Sequence, residues 1–224
     1  PSERCPALGH DAVLGVGGVI SWGCVTAWLC AAVPRLLAAD PWSAAEVSVL
    51  VTLHVAIAGL HISQRQFAGD VLFLGLLLFF LSTLVRRMSA EMDPPPPSFV
   101  LVLFGFLSAV GGIILILSAQ RTNSFFANQL GTLLLNEGFV LFPILGVGAF
   151  FLPKLLGGGI PEPADLRIAT ALWRRQAIAA ALSGLVIWGS FVIEAVSWPR
   201  SAAILRSLTT LFYLVGQGHL LEKP

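Results

Sequence analysis

Charged residues are scarce in this chain, and their scarcity decides its class. Of 224 residues only 11% are Asp, Glu, Lys or Arg, whereas 56% are hydrophobic and the mean hydropathy is +0.86. Soluble domains carry roughly a quarter charged residues and disordered chains are polar, so both classes are excluded. The 13 basic and 12 acidic residues nearly cancel, which excludes nucleic-acid binding through a basic surface. The composition therefore predicts an integral membrane protein.

Cysteine is also rare, and the common catalytic motifs are absent. Cys24 and Cys30 lie on one predicted helix, about 9 Å apart along its axis, and cannot bridge each other. No CxxC pair occurs, which argues against covalent c-type haem attachment. No HExxH, GxSxG or P-loop motif occurs either, so hydrolase and nucleotide-binding chemistry have no support. We predict no catalytic residue.

Long apolar runs predict a single all-α domain, residues 1–224, built as a polytopic integral membrane bundle of about seven transmembrane helices, within a range of six to eight. A helix needs about 20 mostly apolar residues to cross ~30 Å of hydrocarbon. Seven runs meet this need: 13–35, 44–63, 68–86, 98–119, 129–153, 175–197 and 201–220. The prolines at 94–97 and the glycines at 157–159 mark the two longest links.

The distribution of Lys and Arg predicts how these helices cross the membrane, because cytoplasmic loops carry an excess of both. With seven spans, the side of the N-terminus receives five basic residues, counting Arg206 as a loop residue, and the opposite side receives eight. This bias predicts that the N-terminus lies outside the cytoplasm and the C-terminus inside it.

Glu137 is an ionisable residue that lies inside a predicted membrane span and not in a loop. It lies eight residues inside the predicted span 129–153, beside Asn136 and in the half nearer the N-terminal side. A charged group at membrane depth costs about 2.5–3.5 kcal/mol on insertion scales, so Glu137 is either protonated or paired within the bundle. Three roles stay open for it: a hydrogen bond that fixes helix packing, proton handling, or support of a metal ligand.

Histidines supply the candidate metal ligands. His54 and His61 share the second predicted span at i and i+7, which places both imidazoles on one helix face with a rise of about 10.5 Å. This rise is too large for one metal, so each needs an opposing ligand from another helix. The predicted topology brings His61, His10 and Glu194 into the leaflet of Glu137.

Neutral imidazole binds haem iron or copper, and nearby carboxylates orient it. The alternative for each histidine is an interhelical hydrogen bond or a place at the membrane surface. We predict a metal or haem site with His54, His61 and His10 as ligands, supported by Glu137, Asn136 and Glu194 as orienting or proton-handling groups.

The stretch LLLNEGFVLFPILGVGAFFLPKLLG at 133–157 resembles a segment of the NnrS family of bacterial membrane proteins. Two further stretches are similar to that family in residue character and in their order along the chain: SFVIEA at 190–195 and ILRSLTTLFY at 204–213. Lys154 departs from the family pattern, which has Arg at this place. The resemblance covers the C-terminal half best, and Asn136, Glu137 and Gly138 are the candidate positions within the matched motif.

The resemblance implies an inner-membrane protein that contains haem and copper and takes part in the response to nitric oxide, in denitrification or nitrosative stress, without an established reaction. Its implied partners are the lipid bilayer and nitric oxide or copper. The family usually has more spans, so the resemblance also implies that this chain is part of a longer protein. Two other functions stay open: a proton-coupled transporter that uses Glu137, and a structural membrane subunit without a cofactor.

Overall fold

The computed structural model describes residues 43–90, 96–155 and 170–221. All regular secondary structure in these residues is helical, and five helices are long and apolar enough to cross a membrane. The all-α membrane class is thereby confirmed. The predicted number of seven is not: the span 13–35 lies outside the described residues, and the helix over 201–220 is not among the five.

The helices are, in chain order, α1 (Ala44–Ile62), α2 (Gln66–Ala90), α3 (Phe99–Thr122), α4 (Phe125–Leu133), a π-turn (Leu134–Gly138), α5 (Phe139–Leu155), α6 (Thr170–Ala195) and α7 (Pro199–Leu221). The stretch from α4 to α5 corresponds to the predicted span 129–153 but begins earlier. Asn123 ends α3 in a left-handed conformation with φ 53°. The Ser124 side chain then accepts a hydrogen bond from the N–H of Ala127 and caps α4.

The described residues fall into two compact units, 43–90 and 96–221, and each is described here by itself. The first unit is a hairpin of α1 and α2. Ser43 and Glu46 form a capping box at the start of α1: each accepts a hydrogen bond from the backbone N–H of the other. The chain then reverses through a short turn in which Gln64 adopts φ 62°. This turn brings the end of α1 beside the start of α2.

Glycines that face another backbone set the helix separation in the second unit. A Cβ atom on Gly112 of α3 would lie 2.7 Å from the carbonyl oxygen of Gly131 in α4, and one on Gly131 would lie 2.7 Å from the carbonyl oxygen of Gly112. Small residues permit such close approach of membrane helices. The α3 and α4 backbones are therefore in contact at this crossing.

The helices α6 and α7 complete the second unit, and their inner faces differ in polarity. The inner face of α6 buries Ile187 and Phe191 in an apolar core shared with Phe142 of α5. The inner face of α7 instead carries Arg206 and Tyr213. Its outer face is largely apolar: Ile204, Leu208, Leu211, Phe212 and Val215 are all exposed.

Candidate functional site

A charged cluster joins the π-turn, α6 and α7 of the second unit. The guanidinium of Arg206 donates through Nη1 to the carboxylate of Glu137 and through Nη2 to that of Glu194. The side chains of Arg206 and Glu194 are 13% and 20% exposed, whereas that of Glu137 is 48% exposed. One guanidinium balances one of the two carboxylates, so the ionised cluster carries a net charge of −1. We call these three residues the Arg206 cluster.

Glu137 lies at the midpoint of an apolar helix. It is twelve residues from each end of the apolar stretch Phe125–Ala149, and so lies deeper than the eight residues expected from the sequence. Glu194 is the next-to-last residue of α6. Arg206 lies in the interior of α7 and reaches both carboxylates with its long side chain. The sequence left two alternatives open for Glu137, protonation or pairing within the bundle. The structure shows pairing, with Arg206 as the partner.

The π-turn that contains Glu137 lies in close contact with α3 and α6. A Cβ atom on Gly138 would lie 2.9 Å from the Cβ of Ser108 in α3 and 3.4 Å from the ring of Phe191 in α6. Single π-turns inside α-helices occur frequently at functional sites. Here the turn lies between α3 and α6 and carries Glu137 toward Arg206.

Aromatic rings support the cluster. The Cζ atom of Arg206 lies 4.6 Å from the ring centroid of the fully buried Phe191, within the range of a cation–π interaction. Beside the π-turn, Nε1 of Trp188 donates to Oγ of Ser108 at 2.6 Å, and this hydroxyl donates to the carbonyl oxygen of Phe104 at 2.7 Å. The guanidinium is therefore held by an apolar face as well as by two carboxylates.

His54 has one ring nitrogen in contact with a backbone carbonyl oxygen and the other without a hydrogen-bond partner among the described residues. Its Nδ1 lies 2.8 Å from the carbonyl oxygen of Leu50. A carbonyl oxygen only accepts hydrogen bonds, so this contact assigns the proton of the neutral ring to Nδ1. The Nε2 atom then carries a lone pair, and it is buried with no hydrogen-bond partner among the described residues. Metal-ligating histidines commonly donate their second nitrogen to such an acceptor.

His61 is arranged differently, although it lies on the same helix. Its Nε2 faces Oδ1 of Asp70 in α2 at 3.7 Å, and both side chains are 11% exposed. The ring also packs on Gly69, where a Cβ atom would lie 2.9 Å from Nε2. The Nε2 of His61 is also buried without a hydrogen-bond partner among the described residues, and it differs from that of His54 in the carboxylate beside it.

The structure brings together only part of the predicted site. Glu137 and Glu194 share Arg206, and the exposed Asn136 is the chain neighbour of Glu137. His54 and His61 belong to the other unit, and His10 lies outside the described residues. In the described part of the chain, no three His, Cys, Asp or Glu side chains are placed to hold one metal ion.

Haem requires fewer protein ligands than copper does. Haem iron is held in its porphyrin and needs only one or two axial protein ligands, so the Nε2 of His54 meets one such requirement. A protein copper site needs several ligands, such as two histidines and a cysteine.

Arg206 and Asp70 are the two site residues that the sequence patterns did not single out. Counting Arg206 among the loop charges was wrong, since its side chain lies in the cluster between α6 and the π-turn. Asp70 is buried beside His61. Arg206 lies inside the predicted span 201–220, and Asp70 lies inside the predicted span 68–86. A charged residue within an apolar span was the sequence feature that could have identified both.

Comparison with known protein families, with characterised proteins and with solved structures finds no match for this chain. The resemblance to the NnrS family therefore stays a prediction.

Proposed function

We propose that this chain is an NnrS-like inner-membrane protein that binds haem or copper through His54 and takes part in the response to nitric oxide. The resemblance of residues 133–157 supports the family, and the buried lone pair on Nε2 of His54 carries the cofactor proposal. When bound, haem iron or copper would supply the centre at which nitric oxide coordinates. The chain itself contributes a neutral imidazole whose tautomer is fixed by the carbonyl oxygen of Leu50.

A visible absorption spectrum tests this proposal. Protein purified from haem-replete and copper-replete cells is expected to show a Soret band, and His54→Ala is expected to lose most of it. Thr52→Ala, an exposed position on the same helix, is the matched control and is expected to keep the band. Absence of the band in the parent protein, or its full retention in His54→Ala, would contradict haem binding through His54. For copper, the metal content of the parent protein, His54→Ala and Thr52→Ala is measured in the same samples and compared in the same way.

The Arg206 cluster favours a second candidate, a proton-coupled transporter that uses Glu137. The cluster has two carboxylates and one guanidinium, so one proton would make it neutral. Glu137 is the more exposed carboxylate and lies midway along an apolar helix. Ionisable residues at such positions commonly mark proton relays in membrane proteins.

Two matched substitutions distinguish transport from packing. Glu137→Gln and Glu194→Gln each remove one carboxylate and leave Arg206 with one charged partner, so both variants are expected to fold. If Glu137 handles protons, proton uptake by liposomes containing the protein is expected to fall at least tenfold in Glu137→Gln and to persist in Glu194→Gln. No uptake by the parent protein, or equal uptake by both variants, would contradict this role and favour the structural subunit.

We also propose that α7 is a membrane span, which gives six spans in the described residues and seven with 13–35. The pairing of Arg206 offsets the charge that lowers the hydropathy of α7, and its exposed side is apolar. With Arg206 removed from the loop charges, the N-terminal side keeps four basic residues against eight. This supports an outside N-terminus, which a C-terminal reporter active outside the cytoplasm would contradict.

A further inference from the structure

Polar side chains face outward from the helix that carries Glu137. Asn128, Thr132 and Asn136 follow one another at a spacing of four, and all three are exposed. They extend over about 12 Å within the apolar stretch Phe125–Ala149. We call these three residues the outer polar stripe. Lipid tails offer no hydrogen bonds, so the amide of Asn136, eleven residues inside this stretch, needs a second protein surface; Asn128 lies three residues from the end of the stretch.

The π-turn keeps this stripe on one side of the helix. In a regular α-helix, residues spaced by four move around the axis by about 40° at each step, because four residues turn through 400°. The hydrogen bonds of a π-turn run from i to i+5, so it takes more residues per turn and reverses part of this rotation. The turn spans Leu134–Gly138 and so affects the step from Thr132 to Asn136, and past it Ile144 is also exposed, at 57%.

We propose that the outer polar stripe is the surface through which two copies of this chain pair in the membrane. Two copies inserted in the same direction are related by a two-fold axis along the membrane normal, so a residue at that axis meets itself at the same depth. A side-chain amide both donates and accepts hydrogen bonds, and Asn128 and Asn136 are therefore complementary to themselves. The hydroxyl of Thr132 donates to the carbonyl oxygen of Asn128 at 2.8 Å and keeps its capacity to accept.

The Arg206 cluster lowers the repulsion that the charge of Glu137 would cause between two paired copies. Glu137 directly follows Asn136 and its carboxylate is half-exposed, so two unpaired copies near the axis would repel each other. Arg206 donates to this carboxylate from the same chain and offsets part of its charge, because it is shared with Glu194. The proposed dimer depends on the position of polar groups within unit 96–221 and is independent of cofactor binding or transport.

Cysteine cross-linking tests the interface directly. The native Cys5, Cys24 and Cys30 are replaced by Ser, and single cysteines are introduced in the full chain. Under mild oxidation in native membranes, Asn128→Cys, Thr132→Cys and Asn136→Cys are expected to give disulfide-linked dimers, because residues at the axis approach within the Cα separation that a disulfide requires. Leu103→Cys in α3 and Val192→Cys in α6 are the exposed controls and are expected to stay monomeric.

A second measurement covers the case in which a cysteine variant folds poorly. The double variant Asn128→Leu/Asn136→Leu is expected to weaken dimerisation at least tenfold in lipid vesicles, measured by energy transfer between labelled copies. Leu182→Ala, at an exposed position of α6, is expected to change it less than twofold. Either a monomeric parent protein or equal cross-linking of stripe and control cysteines would overturn the proposal.

Discussion

Arg206→Leu is expected to lower the free energy of unfolding by about 3–5 kcal/mol, because it leaves carboxylates without their donor in a largely buried site. Most of this loss is assigned to Glu194, whose side chain is 20% exposed. Glu137 is 48% exposed, so screening reduces its share. Thermal unfolding in detergent, followed by tryptophan fluorescence, measures the change.

Two comparisons show whether the charge imbalance causes the loss. Arg200→Leu removes an exposed charge near the start of the same helix and is expected to change stability by no more than about 0.5 kcal/mol. The triple variant Glu137→Gln/Glu194→Gln/Arg206→Leu removes all three charges and is expected to recover most of the stability, since no unpaired ion remains. Equal unfolding of Arg206→Leu and Arg200→Leu would contradict a stabilising role for the cluster.

Gly112→Ala is expected to cost about 1–3 kcal/mol or more, because the new methyl group has no room at the crossing of α3 and α4. Its Cβ would lie 2.7 Å from a backbone carbonyl oxygen and 2.9 Å from the backbone nitrogen of Leu135. Neither atom moves without moving the helix. The neighbouring Gly111 has nothing within 4 Å of its Cβ position and gives a matched control one residue away.

The two alanine variants are expected to change stability in opposite directions. Gly111→Ala gains helix propensity, up to about 1 kcal/mol, without a clash. Gly112→Ala gains the same propensity but forces the helices apart. The melting temperatures of the two variants, compared in one detergent, provide the measurement. A Gly112→Ala protein as stable as Gly111→Ala would show that the two backbones do not meet at this crossing.

The membrane class and most helix positions could be predicted because composition and apolar runs report them directly. Boundaries near capping residues were less accurate: the helix predicted to start at 129 begins at Phe125, since Ser124 caps it. The π-turn could not be predicted, because LLNEG contains ordinary residues of membrane helices and only contacts with α3 and α6 distinguish it. This turn nevertheless determines where Glu137 and Asn136 face.

The sequence predicted the two acidic residues of the Arg206 cluster but did not predict Arg206 itself. Glu137 and Glu194 were selected because they are ionisable residues within predicted spans. Arg206 has the same property, but its closeness to a chain turn allowed it to be counted in a loop. Pairing depends on which residues of distant helices meet, and single-helix patterns such as the spacing of His54 and His61 do not contain that information.

The order of the three charges along the chain has a consequence for biosynthesis. Glu137 and Glu194 are synthesised before Arg206. The two helical segments that carry these acids therefore leave the ribosome before the residue that pairs with both. Until α7 arrives, each carboxylate must stay protonated or remain near water at the insertion machinery. A chain that stops before residue 206 would keep both acids without their counter-charge, and α7 is therefore the helix that supplies the positive charge of this cluster.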